Sequence, residues 1–284
     1  MEALAAVSTD DPTLPFTLDD TIEPVTWRRP RPGLFEAAGA THPGKVRATN
    51  EDAHGVYPEF GLCAVADGLG GRSAGDVASA MGVFHAREVV SRSAPCTAAE
   101  AELVMRGAIE QANAAVRHAG ESDPRWKGMG STFVGLLFCG GHVVIGHAGD
   151  SRAYRVRGGI ARRLTADHSM RELYLQVYGD RADPAVAERN ASIVTRALGA
   201  KATIQPDVRV ETVEPGDVFL LCTDGLWGLV DDEEIAFAFA GASSLEGAIA
   251  RLVATAYNRG GPDNITAVAV RPFAESSRRS WLAG

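Results

Sequence analysis

Two apolar runs, FVGLLF and HVVIGHA, are separated only by Cys139, Gly140 and Gly141. A connection that short joins antiparallel strands, because a parallel pair needs a crossover of a dozen residues or more. The same pattern continues along the middle of the chain. SRAYRVR, DVRVETV and DVFLLCT are further short Val-rich runs bounded by Gly or Asp, and NITAVAVR is a last strand near the end. Helical periodicity flanks them on both sides. Val77, Met81 and Phe84 fall on one face of an early segment. The next segment opens on Thr97 and Glu100 in capping-box spacing and carries the stripe Met105, Ile109, Ala112, Val116. Later, Asp231 to Glu234 place four acids at a helix start. Ser243 and Glu246 repeat the capping box, and Leu245, Ile249, Leu252, Val253 and Ala256 share a buried face. Strands between two helix pairs predict an α+β fold: a four-layer αββα sandwich, with two mainly antiparallel β-sheets covered by helix pairs on both outer faces.

No linker divides the periodic region, so residues 34–272 read as one domain. Residues 1–33, rich in Asp, Thr and Pro, read as a flexible N-terminal extension, and 273–284 as a C-terminal tail. The net charge of -8 argues against a nucleic-acid partner, which would need clustered Lys and Arg. No apolar run approaches the roughly 20 residues that span a bilayer, and the N-terminus lacks a signal-peptide pattern, which predicts a cytoplasmic protein without membrane contact. Cys63, Cys96, Cys139 and Cys222 form no CxxC pair and read as buried thiols.

The aspartates do not fit this ordinary pattern. Asp67, Asp150, Asp224 and Asp263 each lie at or beside the end of an apolar run, where a carboxylate is expensive unless something pairs with it. In GLCAVADGLGG the run stops at Asp67 and three glycines follow, letting backbone approach a ligand closely; FLLCTDGLWG repeats the device at Asp224. Carboxylates converging at strand ends repel one another and cannot all ionise without cations among them. Oxygen ligands without His or Cys point to Mg²⁺ or Mn²⁺. A lone Asp-Gly pair is more often a turn, so the significance lies in the order of the motifs.

That order is RATNEDAHGV from Arg47, AVADGLGG from Ala64, GSTFVGLLF from Gly130, GHAGDSRAYRVR from Gly146, LTADHS from Leu164, TRALG from Thr195, LLCTDGLWGLVDDEEI from Leu220 and PDNITAVAV from Pro262. In these blocks the chain resembles the PPM family of metal-dependent protein phosphatases, the PP2C-like branch in its bacterial form. The resemblance implies hydrolysis of phosphoserine and phosphothreonine on proteins by a metal-activated water, opposing a bacterial Ser/Thr kinase. It implies that Asp67 bridges two core ions and Gly68 donates a carbonyl, with Asp224 and Asp263 as further ligands. Glu51 and Asp52 match the acidic pair at the second metal. Asp150, with Asp224, matches a pair that holds a third, weaker ion. Arg47 matches the phosphate clamp, so Arg47, Asp67 and Asp224 are the expected catalytic residues.

The chain departs from the eukaryotic pattern at Leu69 and Gly228, which leaves the proton donor to the leaving alcohol unassigned. Met170–Ala191 matches the flap of bacterial relatives and is expected to move and to influence substrate choice. The seven histidines read as satisfied or solvated side chains, Ser73 and Ser131 as structural, and Arg152, beside Asp150, as a structural ion pair rather than a second clamp. The expected partners are phosphoprotein substrates and a cognate kinase or phosphopeptide-binding protein, acting on a monomer. Two other readings are a non-catalytic relative, opposed by the complete ligand set, and a hydrolase of small phosphate esters.

Overall fold

The computed structural model describes residues 35–69, 74–95 and 97–273. The expected extension over 1–33, all of the expected tail but Phe273, Gly70, Gly71, Ser73 and Cys96 lie outside the described residues. Strands β1 (Phe35–His42), β2 (Asp52–Tyr57) and β3 (Leu62–Leu69) precede helices α1 (Gly75–Ser91) and α2 (Ala98–Ser122). There follow β4 (Gly130–Ser131), β5 (Phe133–Cys139), β6 (His142–Ala148), β7 (Arg152–Arg157) and β8 (Ile160–Arg163). Helices α3 (Met170–Tyr178) and α4 (Pro184–Arg189) lead to β9 (Asp207–Thr212), β10 (Val218–Cys222) and the single turn α5 (Asp224–Trp227). The pair α6 (Asp232–Ala240) and α7 (Leu245–Asn258) then returns the chain to β11 (Ile265–Pro272).

The strands form two sheets, ordered β1-β11-β10-β7-β8 and β2-β3-β5-β6-β9, with β4 against the end of β3. The pairings are antiparallel. Helices α1 and α2 cover one sheet, and α6 and α7 the other, as the periodicity predicts.

Because both faces of each sheet are covered, the central strands are apolar without interruption. On β3, Leu62, Ala64 and Ala66 pack beneath α1 and α2, while Cys63 and Val65 face the opposite sheet. On β10, Val218, Leu220 and Cys222 face the α6–α7 layer, and Phe219 and Leu221 fill the space between sheets. Alternation carries this forward: Asp67 and Thr223, the next residues in the inward series, sit at one end of the inter-sheet space. The aspartates thus gather there because β3 and β10 both end there.

Two details of the helices differ from expectation. The buried stripe of α1 is Ala78, Val83, Ala86 and Val90, and Phe84 is exposed. Small residues let this helix lie close on β3, so Val77 and Met81 pack against the core only at partial burial, from its flank. Helix α7 is capped by Ser244, which accepts from the Gly247 N–H, rather than by Ser243 with Glu246. With Leu245 buried as the first helical residue, the position three beyond the cap is Gly247, which has no side chain to complete a box. The Thr97–Glu100 box at α2 forms as predicted.

Candidate active site

Strand pairing sets Asp52 directly opposite Asp67. The Asp67 backbone is fixed from the other side: its N–H donates to Thr132 Oγ1 at 2.8 Å, and its carbonyl accepts from the Thr132 N–H at 2.8 Å and from Ser131 Oγ. Asp150 lies just beyond β6, Asp224 opens α5, and Asp263 shortly precedes β11. One sheet therefore supplies Asp52 and Asp67, the ends of the other Asp224 and Asp263, and the β6–β7 crossover between the sheets Asp150.

The electrostatics place these five carboxyls together. Burial, then the charges of Asp52, Asp224, Asp150 and Asp263, drive the Asp67 carboxyl well above the usual range. Burial pushes Asp52 and Asp150 up to about 7, with Asp224 adding to both. Asp224 is raised by burial and by Asp263. Asp52 Oδ1 and Asp224 Oδ1 are buried without a hydrogen-bond partner among the described residues. Unsatisfied buried carboxylate oxygens need a positive charge, and an all-oxygen set of this kind suits hard divalent cations.

Arg47 stands at the rim, its side chain 51% exposed, with Nη2 2.8 Å from Asp263 Oδ2. That hydrogen bond, followed by the charges of Asp263, Asp67 and Glu51, raises the guanidinium pKa further. Asn264 holds the loop that carries Arg47 and Glu51. Its Oδ1 accepts from the Glu51 N–H at 2.8 Å, and its Nδ2 donates to the carbonyls of Pro43 and Thr49 at 3.0 and 2.9 Å.

Glu51 in turn accepts through its carbonyl from the Gly68 N–H and from Ser79 Oγ, the latter at 2.6 Å. A Cβ on Gly68 would lie 2.3 Å from the Gly75 carbonyl oxygen, and one on Gly225 would lie 2.0 Å from that of Asn264. Both glycines are therefore required by close backbone approach. Each predicted site residue, Arg47, Glu51, Asp52, Asp67, Gly68, Asp150, Asp224 and Asp263, comes to this one end of the sandwich.

Other assignments resolve locally. Arg152 forms its buried ion pair not with the neighbouring Asp150 but with Asp167, through Nε (2.9 Å) and Nη2 (2.6 Å), and lies over the Trp227 ring. Cys63, Cys139 and Cys222 are buried cysteines. The flap segment forms α3 and α4, and its ends are tied by Met170 N–H to Ile193 O and Thr195 N–H to His168 O.

His147 and His168, which nothing in the linear order brings together, stack with ring centroids 4.5 Å apart beside Asp207. Their ligand atoms lie within 4.8 Å of one another, close enough to share an ion. The Gly149 N–H donates to His168 Nδ1, and His168 Nε2 lies 2.8 Å from Arg196 Nη1 and 3.3 Å from Asp207 Oδ2. Burial holds His168 near its neutral form, down to about 4. The Arg196 guanidinium, 2.5 Å from Asp207 Oδ1, already stands where a cation would.

Fold and site define a class: an αββα sandwich that gathers a carboxylate cluster, with an arginine at its rim, where its two sheets end together. The chain belongs to the protein phosphatase 2C family, whose model matches residues 39–257. It is 33% identical over 234 residues to the serine/threonine phosphatase stp of Listeria monocytogenes, covering 81% of this chain and 93% of that protein. It is 35% identical over 235 residues to the serine/threonine protein phosphatase PstP of Mycobacterium tuberculosis, covering 83% of this chain and 44% of PstP. A crystal structure of the PstP catalytic domain in complex with two manganese ions aligns with a TM-score of 0.75 at 30% identity, over 84% of this chain and 99% of that one.

Proposed function

We propose that the chain is a metal-dependent serine/threonine protein phosphatase whose two core Mn²⁺ or Mg²⁺ ions are held by Glu51, Asp52, Asp67, Gly68, Asp224 and Asp263. Asp150 with Asp224 holds a third, weaker ion, and Arg47 binds the phosphate. The observation that carries this reading is the convergence of five aspartates, two of them with a buried, unsatisfied oxygen, beneath an exposed guanidinium. Bound there, the ions supply an acidified water as nucleophile and offset the charge of the phosphate.

The chain's own residues do the rest. Asp67, set between the two sheets, is positioned to be shared by both core ions. The Arg47 fork offers paired donors to phosphate oxygens, and its raised pKa keeps it charged at any working pH. Asn264 keeps Arg47 and the cluster in fixed relation by binding both loops. The serine/threonine phosphatase names of relatives on both sides of the comparison support phosphoserine and phosphothreonine proteins as substrates, with a Ser/Thr kinase as the opposing enzyme.

The test is hydrolysis of a phosphothreonine peptide and of free phosphoserine by metal-stripped protein, before and after addition of Mn²⁺ or Mg²⁺. Activity should require the metal, be abolished by EDTA and favour the peptide. Full activity of stripped protein would overturn the metal-centred reading, and preference for free phosphoserine would overturn the protein substrate.

A further inference from the structure

Three threonines form a row across the sheet facing Asp52. Register pairs Thr41 of β1 with Thr266 of β11. Cys222 pairs with Ala267, so Thr223 comes beside Thr266 as β10 ends. Thr223 and Thr266 are fully buried. Their hydroxyls both reach Asp52 Oδ2, Thr266 at 2.6 Å and Thr223 at 2.9 Å.

The direction of each hydrogen follows from the donors available. With Asp52 acting as a ligand, its carboxylate can only accept, so Thr266 and Thr223 both donate to it. The Thr266 proton is then committed, so the 2.7 Å contact with Thr41 Oγ1 must be a donation from Thr41. Asn50 Nδ2 in turn donates to Thr41 Oγ1 at 2.8 Å, and Asn50 Oδ1 accepts from the Asp52 N–H at 3.2 Å. The Thr266 N–H, meanwhile, donates to Thr223 Oγ1 at 3.1 Å. Two donor chains therefore end on the same carboxylate oxygen, each hydroxyl polarised by the group behind it. The other oxygen, Oδ1, is buried without a hydrogen-bond partner among the described residues.

We propose that Thr266 and Thr223, backed by Thr41 and Asn50, are positioning residues of the metal centre, holding Oδ2 of Asp52 so that Oδ1 is presented as a ligand. The proposal rests on the reading of Asp52 as a metal-binding residue. It separates the acidic pair by role: Glu51 is placed by its backbone through Asn264 and Ser79, whereas Asp52 is placed by its side chain through hydroxyls of the opposite sheet. It also gives the two sheets a shared element at the site, since carboxylate and donors come from different sheets.

The test is calorimetric titration of Mn²⁺ into the EDTA-stripped full chain carrying Thr266→Val, Thr266→Ser, Thr223→Val, Thr41→Val or Asp52→Asn, with the metal-free melting temperature of each. Loss of an outer-shell hydrogen bond lowers metal affinity by about 10- to 100-fold, the effect expected for Thr266→Val. Thr266→Ser, which keeps the hydroxyl, should bind Mn²⁺ close to the native protein, and Thr41→Val should lose less than Thr266→Val because it acts one bond further away. Thr223→Val should lose affinity on its own, which tests the proposal even if the Thr266 variant does not fold. A merely structural row would lower melting temperatures without this order or the serine rescue. Native affinity in both Thr266→Val and Thr223→Val, with affinity lost in Asp52→Asn, would overturn the proposal alone. Native affinity in Asp52→Asn would remove the reading of Asp52 on which it rests.

Discussion

Arg47 is half exposed and holds one carboxylate oxygen, so its removal disturbs little packing and leaves the buried cluster in place. Arg47→Ala should therefore raise KM for a phosphopeptide more than it lowers kcat, costing about 1.5 to 3 kcal/mol for a charge-assisted contact. Steady-state kinetics would check this, and an unchanged KM would place the clamp elsewhere. Asp67 and Asp150 differ in how many carboxyls surround them. Asp67 feels four other aspartates, whereas Asp150 is raised chiefly by burial and Asp224. Asp67→Asn should lose both metal binding and nearly all turnover. Asp150→Ala should retain the core metals while hydrolysing protein phosphate less well than an aryl phosphate, whose leaving group needs little protonation. Equal losses on the two substrates would remove the leaving-group role, and loss of the core metals would overturn the division of sites. The aspartates were legible from sequence because a carboxylate closing an apolar run is costly and therefore conspicuous. Thr41, Thr223 and Thr266 were not, because a threonine is unremarkable in a strand, and only the register between β1, β11 and β10 puts the three side by side.

At the scale of elements, the turn before β11 does more than present Asp263. Asn264 bonds backbone groups of Pro43, Thr49 and Glu51 and is almost wholly buried. Asn264→Ala would leave those groups unsatisfied, and at about 1 kcal/mol for each lost bond the cost should be about 2 to 4 kcal/mol. Denaturant unfolding would measure it. Because the same loop carries Arg47 and Glu51, KM should rise as well, and a destabilised variant with native kinetics would show that the loop does not depend on this side chain. The elements themselves were largely readable. The β5–β6 hairpin follows from its short Gly-Gly connection, with Cys139 and His142 already paired, and the stripe of α2 from large residues at helical spacing. On α1 the pattern finds Val77 and Met81, which pack against the core at partial burial, but not the centre of the buried face, where Ala78 and Ala86 carry little signal in a hydrophobic pattern. The His147–His168 stack escaped notice because the two residues lie on separate segments that only the fold superimposes.

For the molecule as a whole, the site is a source of instability that bound metal should relieve, and pH separates the two states. In the metal-free protein Asp52 and Asp150 are raised from an ordinary 3.8 to about 7, and Asp67 and Asp224 are raised as well. Between those values the folded chain binds more protons than the unfolded one, so these groups make stability fall as pH rises, levelling off above the folded pKa. The buried histidines act in the opposite sense. His168, lowered to about 4, and His147 and His54, also lowered, bind fewer protons when folded, so their contribution rises with pH up to the ordinary 6.5. A melting curve of stripped protein alone therefore mixes two trends of opposite sign. His147 and His168 stack away from the carboxylate cluster, beside Asp207, and their contribution cancels in the difference between Mn²⁺-loaded and stripped protein. That difference isolates the carboxyls, which must give up their protons to hold the ion. The stabilisation by a fixed excess of Mn²⁺ should therefore be small near pH 5 and grow toward pH 8. Asp67→Asn, which weakens the site at every pH, should flatten the curve. Calorimetric melting of both forms across this range would check it, and a metal stabilisation independent of pH would mean that the carboxyls are already ionised in the metal-free fold.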